Sequence, residues 1–80
     1  MEHMIIVKKT IEVFCETIAP DIIGINEKTG KDDVANWDSM NHLILMAELE
    51  AAFDIRFTTE EITQLDCLEE IISTIERKLE

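Results

Sequence analysis

Apolar residues recur at helical spacing along most of the chain, and the most unusual pattern begins at Met40. One stripe takes positions three or four residues apart: Met40, Leu43, Ile44, Ala47 and Ala51. A second stripe follows roughly the opposite face of the same helix: Leu45, Met46, Leu49, Ala52 and Phe53. A helix in a small domain needs one apolar face for its core. The additional stripe therefore predicts a second packing partner for this helix.

Start and stop signals place this helix second along the chain. The first is predicted over residues 3–19, because Pro20 cannot continue it. Its apolar face is Met4, Val7, Ile11, Phe14, Cys15 and Ile18. The second is predicted from Ser39 to Phe53, with Asp38 as its N-cap.

Two further helices are predicted after Phe53. Thr58 and Glu61 form a capping-box pattern that opens a short third helix around Ile62 and Leu65. Asp66 and Glu69 repeat that pattern before a fourth helix, with the stripe Leu68, Ile71, Ile72, Ile75 and Leu79. The sequence thus predicts an all-α fold, a small four-helix bundle with three longer helices and one short one. We expect residues 1–80 to form a single domain.

A long connection without periodicity joins the first two helices, from Pro20 to Trp37. We expect its three isoleucines to pin it onto the core: Ile22, Ile23 and Ile25. Connections of this length are usually functional in a small domain. Its acids do not form a calcium loop, because Asp32, Asp33 and Asp38 lack the required register and the later bidentate glutamate. No metal site is predicted.

Charge and composition narrow the possible partners. The 80 residues include 18 acids and 7 bases, a formal net charge of −11. Such a surface repels nucleic acid and attracts proteins with basic patches, although the acidity could also serve solubility alone. No apolar run approaches the roughly 18 residues of a membrane span, and no secretory signal is visible, so we expect the cytoplasm. Cys15 and Cys67 have no close cysteine or histidine partner, which favours two buried reduced thiols over a disulfide or a zinc site.

The start of the second helix gathers the residues with chemical potential. Asp38, Ser39 and His42 could form a hydrolase triad, but a triad also needs an oxyanion hole and a cleft, for which a small bundle has little room. His42 lies at the edge of the inner stripe, as a half-buried structural histidine would. The Ser39 hydroxyl can either cap the helix or carry a phosphate ester, which the helix N-terminus would stabilise. The residues alone leave cap and attachment site open.

These residues resemble the acyl carrier proteins, which are helical domains that bear phosphopantetheine. The family signature Asp-Ser-Leu stands here as Asp38-Ser39-Met40. The match continues through Leu43, Leu45, Met46, Leu49, Glu50, Phe53, Asp54, Phe57 and the turn Thr59-Glu60-Glu61. Together with length, acidity and the long first connection, the resemblance covers nearly the whole sequence.

The resemblance implies a non-catalytic carrier. Ser39 would receive 4′-phosphopantetheine from coenzyme A through a separate magnesium-dependent phosphopantetheinyl transferase, which would recognise Asp38 as part of the motif. The chain, a monomer, would then carry acyl groups as thioesters to enzymes of fatty-acid or specialised lipid or polyketide-type biosynthesis, through their basic and apolar docking patches. The residues expected to face these partners are Met40, Leu43, Ile44, Ala47, Glu48 and Glu50. Two alternatives stay open: an unmodified interaction module in which Ser39 only caps the helix, and packing of Leu43 against the long connection.

Four positions depart from the family pattern, and one of them is Asn41, which lacks the acid often found just after the motif. Trp37 stands where a small or aliphatic residue is commoner, Met40 replaces leucine, and Ile44 occupies a position that is often glutamate. The acidic row of this helix is thereby thinned to Glu48 and Glu50. We infer more apolar docking and a dedicated pathway.

Replacing Ile44→Glu should therefore improve turnover of the loaded carrier by generic fatty-acid synthase enzymes, because it restores an acid for their basic residues. Initial rates with the wild-type and variant carriers check this. Equal rates would contradict the idea.

Overall fold

The computed structural model describes residues 2–20 and 23–80. It contains four α-helices and one 3-10 turn: α1 (His3–Thr17), the 3-10 turn (Lys31–Asp33), α2 (Ser39–Phe53), α3 (Thr59–Gln64) and α4 (Leu68–Leu79). These described ranges hold no β-strand, and an isolated antiparallel bridge joins Gly30 to Cys67. The predicted all-α fold, with three longer helices and one short one, is confirmed.

The hydrophobic core lies between α1, α2 and α4. From α2 it takes the stripe Leu45, Met46, Leu49 and Phe53, and from α4 it takes Leu68, Ile71, Ile72 and Ile75, with Leu79 half-buried at the edge. Full burial of such a side chain contributes about 1.5–3 kcal/mol. The inner stripe predicted for α2 and the stripe predicted for α4 are therefore confirmed as the faces that form the core.

The predicted apolar face of the first helix is confirmed at Val7, Phe14 and Ile18, which are buried, and is wrong at Met4. The buried residues within α1 are Ile6, Val7, Thr10 and Phe14. α1 packs against both α2 and α4, so Ile6 and Thr10, which lie outside the predicted stripe, are buried as well. Met4 lies in the first turn of the helix and is exposed. The helix also ends at Thr17 rather than 19, although Ile18 and Ala19 still donate their N–H groups to Phe14 and Cys15.

The long connection is fastened to the start of α4. The N–H of Lys31 donates to the Asp66 carbonyl, and the N–H of Leu68 donates to the Thr29 carbonyl, each at 2.9 Å. These bonds also explain why the predicted Asp66–Glu69 capping box is wrong. The N-cap of α4 is Cys67, which makes no side-chain capping bond, because the connection supplies a backbone carbonyl to the first helical N–H instead.

Different side chains from those predicted pin the connection. Ile25 is half-buried against the core as expected, but Ile23 is 94% exposed, and Ile22 lies outside the described residues. Val34 and Trp37 are buried instead. The prediction for Ile23 is wrong because Val34, Trp37 and the backbone bonds to α4 already anchor the segment.

The two cysteines are free, and both are half-buried rather than fully buried as predicted. Burial raises the pKa of each thiol above its usual value. Both groups therefore remain protonated thiols at neutral pH.

The capping box of α3 is present as predicted. The Thr58 hydroxyl accepts from the Glu61 N–H at 3.1 Å, and the Glu61 carboxylate accepts from the Thr58 N–H at 2.8 Å.

Replacing Thr58→Ala should lower the free energy of unfolding by about 1 kcal/mol, because the cap bond is lost. Thr59→Ala is the matched control, since Thr59 is exposed and makes no side-chain capping bond. Urea denaturation of both variants measures the difference. Equal midpoints for the two variants would show that the box contributes nothing.

Candidate functional site

Asp38 caps α2 and leaves the neighbouring serine unengaged. The Asp38 backbone is extended, and its Oδ1 accepts from the Asn41 N–H at 2.9 Å, as the predicted N-cap should. Ser39 is the first helical residue and is exposed. Within the described chain the Ser39 hydroxyl has no hydrogen-bond partner, so it does not cap the helix. The prediction that Asp38 is the N-cap is confirmed, and the reading of Ser39 as a cap is wrong.

The geometry around Ser39 favours an anion on its hydroxyl. Its N–H and that of Met40 belong to the first turn of a 15-residue helix, where amides have no acceptor inside the helix. The N-terminal end of the helix dipole is positive. A phosphate ester on this oxygen would therefore lie beside free donors and favourable potential.

His42 is held by two partners and is not available to Ser39. The Trp37 Nε1–H donates to His42 Nδ1 at 2.9 Å, and His42 Nε2 lies 2.6 Å from the Ile62 carbonyl oxygen. An indole N–H can only donate and a carbonyl can only accept, so the imidazole is neutral with its proton on Nε2. Burial lowers the pKa of His42, which favours the same state. The structure therefore excludes the Asp38–Ser39–His42 triad and confirms a structural histidine.

Trp37 is the residue whose role the sequence did not reveal. Its side chain is 4% exposed, and its ring centroid lies 4.9 Å from that of Phe14, with the planes tilted by 59°. This is a favourable aromatic arrangement. The available signal was a lone tryptophan three residues after Val34, which is the spacing of two residues on one buried face.

The outward face of α2 presents an apolar row beside Ser39. Met40, Leu43 and Ile44 are 73%, 58% and 47% exposed, and Ala47 and Glu48 are exposed as well. Leu43 is thus open to solvent rather than packed on the long connection. An exposed row of this kind is typical of an interaction surface.

Glu50 differs from the other residues predicted to face partners. It is half-buried, and its carboxylate accepts from the Phe57 N–H at 2.8 Å. The bond fixes the turn between α2 and α3. Glu50 is therefore engaged in this turn, unlike the exposed residues on the outward face of α2.

The acidic residues of the connection do not converge on a cation. The Asp33 carboxylate accepts from the Gly30 N–H, and that of Asp38 accepts from the Asn41 N–H. Elsewhere in the described chain, Asp66, Cys67 and Glu70 bring three ligand atoms within 4.8 Å of one another. The Cys67 thiol donates to Glu70 there, and three ligands are fewer than a structural zinc site requires.

Surface clefts lie away from Ser39. The cleft of about 430 Å³ between α3 and α4 is lined by Glu61, Gln64, Leu65, Glu69, Glu70, Ser73, Thr74 and Arg77. Neither this cleft nor three others in the described part of the chain are lined by Ser39 or Met40. Ser39 is exposed, so the site presents its hydroxyl on a surface. Across residues 2–20 and 23–80, no helix combines the length and apolar character that crossing a bilayer requires.

Comparison with solved structures shows the fold. The crystal structure of an acyl carrier protein from Thermotoga maritima superposes with a TM-score of 0.80 at 24% sequence identity, covering 99% of this chain and 92% of that one. No protein-family model matches the sequence, and neither does any curated protein. The chain thus has the fold of an acyl carrier protein, as the sequence resemblance implied.

Replacing Asp38→Ala should lower the free energy of unfolding by about 1 kcal/mol, because the Asn41 N–H loses its acceptor. Asp38→Asn keeps an acceptor oxygen at the cap and should leave stability nearly unchanged. Thermal unfolding of the two variants, followed by circular dichroism, makes the comparison. A full loss with asparagine would show that charge, rather than the cap bond, is what α2 needs.

Proposed function

We propose that this chain is a non-catalytic carrier that bears 4′-phosphopantetheine on Ser39 and presents acyl groups to partner enzymes. One observation carries the proposal: the Ser39 hydroxyl is exposed and unbonded at the first position of α2, while its neighbour Asp38 makes the cap. The fold of an acyl carrier protein supports it. An unmodified module in which Ser39 serves as the cap is not supported, because Asp38 already caps the helix.

Attachment needs a second protein. The Ser39 oxygen would bond to the phosphorus that carries pantetheine in coenzyme A, the phosphoanhydride would break, and adenosine 3′,5′-bisphosphate would leave. Because His42 is engaged by Trp37 and Ile62, it is not free to take the hydroxyl proton. A magnesium-dependent phosphopantetheinyl transferase that contacts Asp38 would supply that base. The attached arm ends in a thiol, which carries the acyl group as a thioester.

The docking surface of the carrier is the exposed face of α2, namely Met40, Leu43, Ile44, Ala47 and Glu48. Its apolar row would meet an apolar patch on the partner, and the excess of 18 acids over 7 bases would steer basic partners toward it. This mixture supports a dedicated lipid or polyketide-type pathway rather than general fatty-acid synthesis. Loading consumes coenzyme A, so we propose that the carrier acts in the cytoplasm. We also propose that it is a monomer.

Intact mass spectrometry after incubation with coenzyme A, magnesium and a phosphopantetheinyl transferase tests the proposal. We expect one phosphopantetheine on the wild-type chain and none on Ser39→Ala. The chain has two serines, so Ser73→Ala, at an exposed position of α4, is the matched control and should load fully.

Reduction before the measurement is essential. Coenzyme A is itself a thiol and could form a mixed disulfide with Cys15 or Cys67, which a reductant removes and a phosphodiester survives. An adduct that persists in Ser39→Ala, or no adduct from any of a panel of transferases on a folded chain, would overturn the proposal.

A further inference from the structure

The one tryptophan of the chain takes part in a buried hydrogen-bonded relay that links three segments. Trp37 ends the long connection, His42 lies in the first turns of α2, and Ile62 lies in α3. The indole N–H donates to Nδ1 of the imidazole, and Nε2–H donates to the Ile62 carbonyl. Trp37 and His42 are each 4% exposed. The two bonds meet in one imidazole ring, and Trp37 immediately precedes Asp38 and Ser39 in the chain.

The relay operates only with a neutral imidazole. Protonation would place an N–H on Nδ1, facing the indole N–H of Trp37, and two donors cannot bond to each other. The ring cannot escape by turning over, because Nε2 is held at 2.6 Å by the Ile62 carbonyl. The bond between Trp37 and His42 must therefore break when His42 gains a proton.

We propose that this relay is a proton-operated latch on the start of α2. Neutral His42 fixes Trp37 to α2, and protonation of the ring unlocks Trp37 together with the segment that leads into Asp38 and Ser39. The latch is a property of the unmodified chain and does not depend on the carrier function. In a carrier, it would set how freely the segment around Ser39 moves.

Charged groups on the neighbouring segments do not favour the protonated ring. Burial lowers the pKa of His42 most, and the hydrogen bond to the Ile62 carbonyl raises it by a smaller effect. Of the charges, Lys31 of the 3-10 turn lowers the pKa, and Asp66, between α3 and α4, raises it by less. On α3 the Glu61 carboxylate is engaged by the Thr58 N–H and by Lys78.

The other two groups near the relay are a carboxylate that already has a partner and an uncharged aromatic ring. At the N-cap of α2 the Asp38 carboxylate is engaged by the Asn41 N–H. The α1 residue in contact with the Trp37 ring is Phe14, which is uncharged. Burial is the largest influence on the pKa of His42 and lowers it from 6.5. The latch is therefore closed at neutral pH, and it opens as the pH falls below 6.5.

The lowered pKa of His42 sets the direction in which closure of the latch depends on pH. A histidine whose pKa is lower in the closed state than in the open state favours closure fully above pH 6.5. As the pH falls between the two pKa values, the ratio of open to closed latch rises by up to about tenfold per pH unit.

Nuclear magnetic resonance titration of the unmodified chain tests the latch. We expect His42 to titrate below pH 6.5 and the indole N–H resonance of Trp37 to move with the same midpoint. His3 is the internal control, because the hydrogen bond and charge of Glu76 raise its pKa above 6.5, so it should titrate separately. An indole resonance that stays constant while His42 titrates would overturn the proposal.

Two variants sharpen the test. Trp37→Phe keeps an aromatic ring against Phe14 but removes the donor, so the midpoint of His42 should rise by roughly one pH unit. His42→Gln keeps an N–H donor for the Ile62 carbonyl and cannot titrate, so tryptophan fluorescence should become independent of pH across this range. An unchanged His42 midpoint in Trp37→Phe would overturn the latch. If either variant fails to fold, the wild-type titration still decides.

Discussion

Helix α2 has to satisfy two environments at once, and the arrangement of the molecule follows from that requirement. One apolar row packs against α1 and lies in the core that α4 also shares, while the row beside Ser39 faces solvent. A helix that is apolar on both sides normally lies inside a large protein or a membrane. Here it lies at the surface of a small bundle, so the exposed row has to be useful to the protein in some way other than stability.

The start of α2 divides two tasks between neighbouring residues. Asp38 bonds to the Asn41 N–H and fixes the helix end, which leaves the Ser39 hydroxyl unbonded and exposed. If serine made the cap, its oxygen would be a hydrogen-bond acceptor inside the fold, and modification would break that bond. The aspartate thus makes it possible to modify the serine without loss of the helix end.

Features that depend on neighbours in sequence could be predicted, and features that depend on distant segments could not. The bounds of α2, the Asp38 cap, the Thr58–Glu61 box and the buried stripes of α2 and α4 all follow from spacings within one or a few helical turns. The cap of α4 could not be predicted, because its first N–H bonds to Thr29 from the other half of the chain. The burial of Trp37 could not be predicted either, because its partner Phe14 lies on another helix.

The pairing of the long connection with the start of α4 has a consequence for the order of folding. Thr29 and Lys31 bond to Leu68 and Asp66, so α2 and α3 lie within a loop of chain whose two ends are joined. Closing a long loop costs entropy that only the completed contacts repay. We therefore expect local helices to form early and this closure to come late, when most of the core is assembled. Until then, the apolar rows on both sides of α2 are exposed to water together. The nascent chain therefore passes through a state that exposes more apolar surface, and associates more readily with other chains, than the folded protein does.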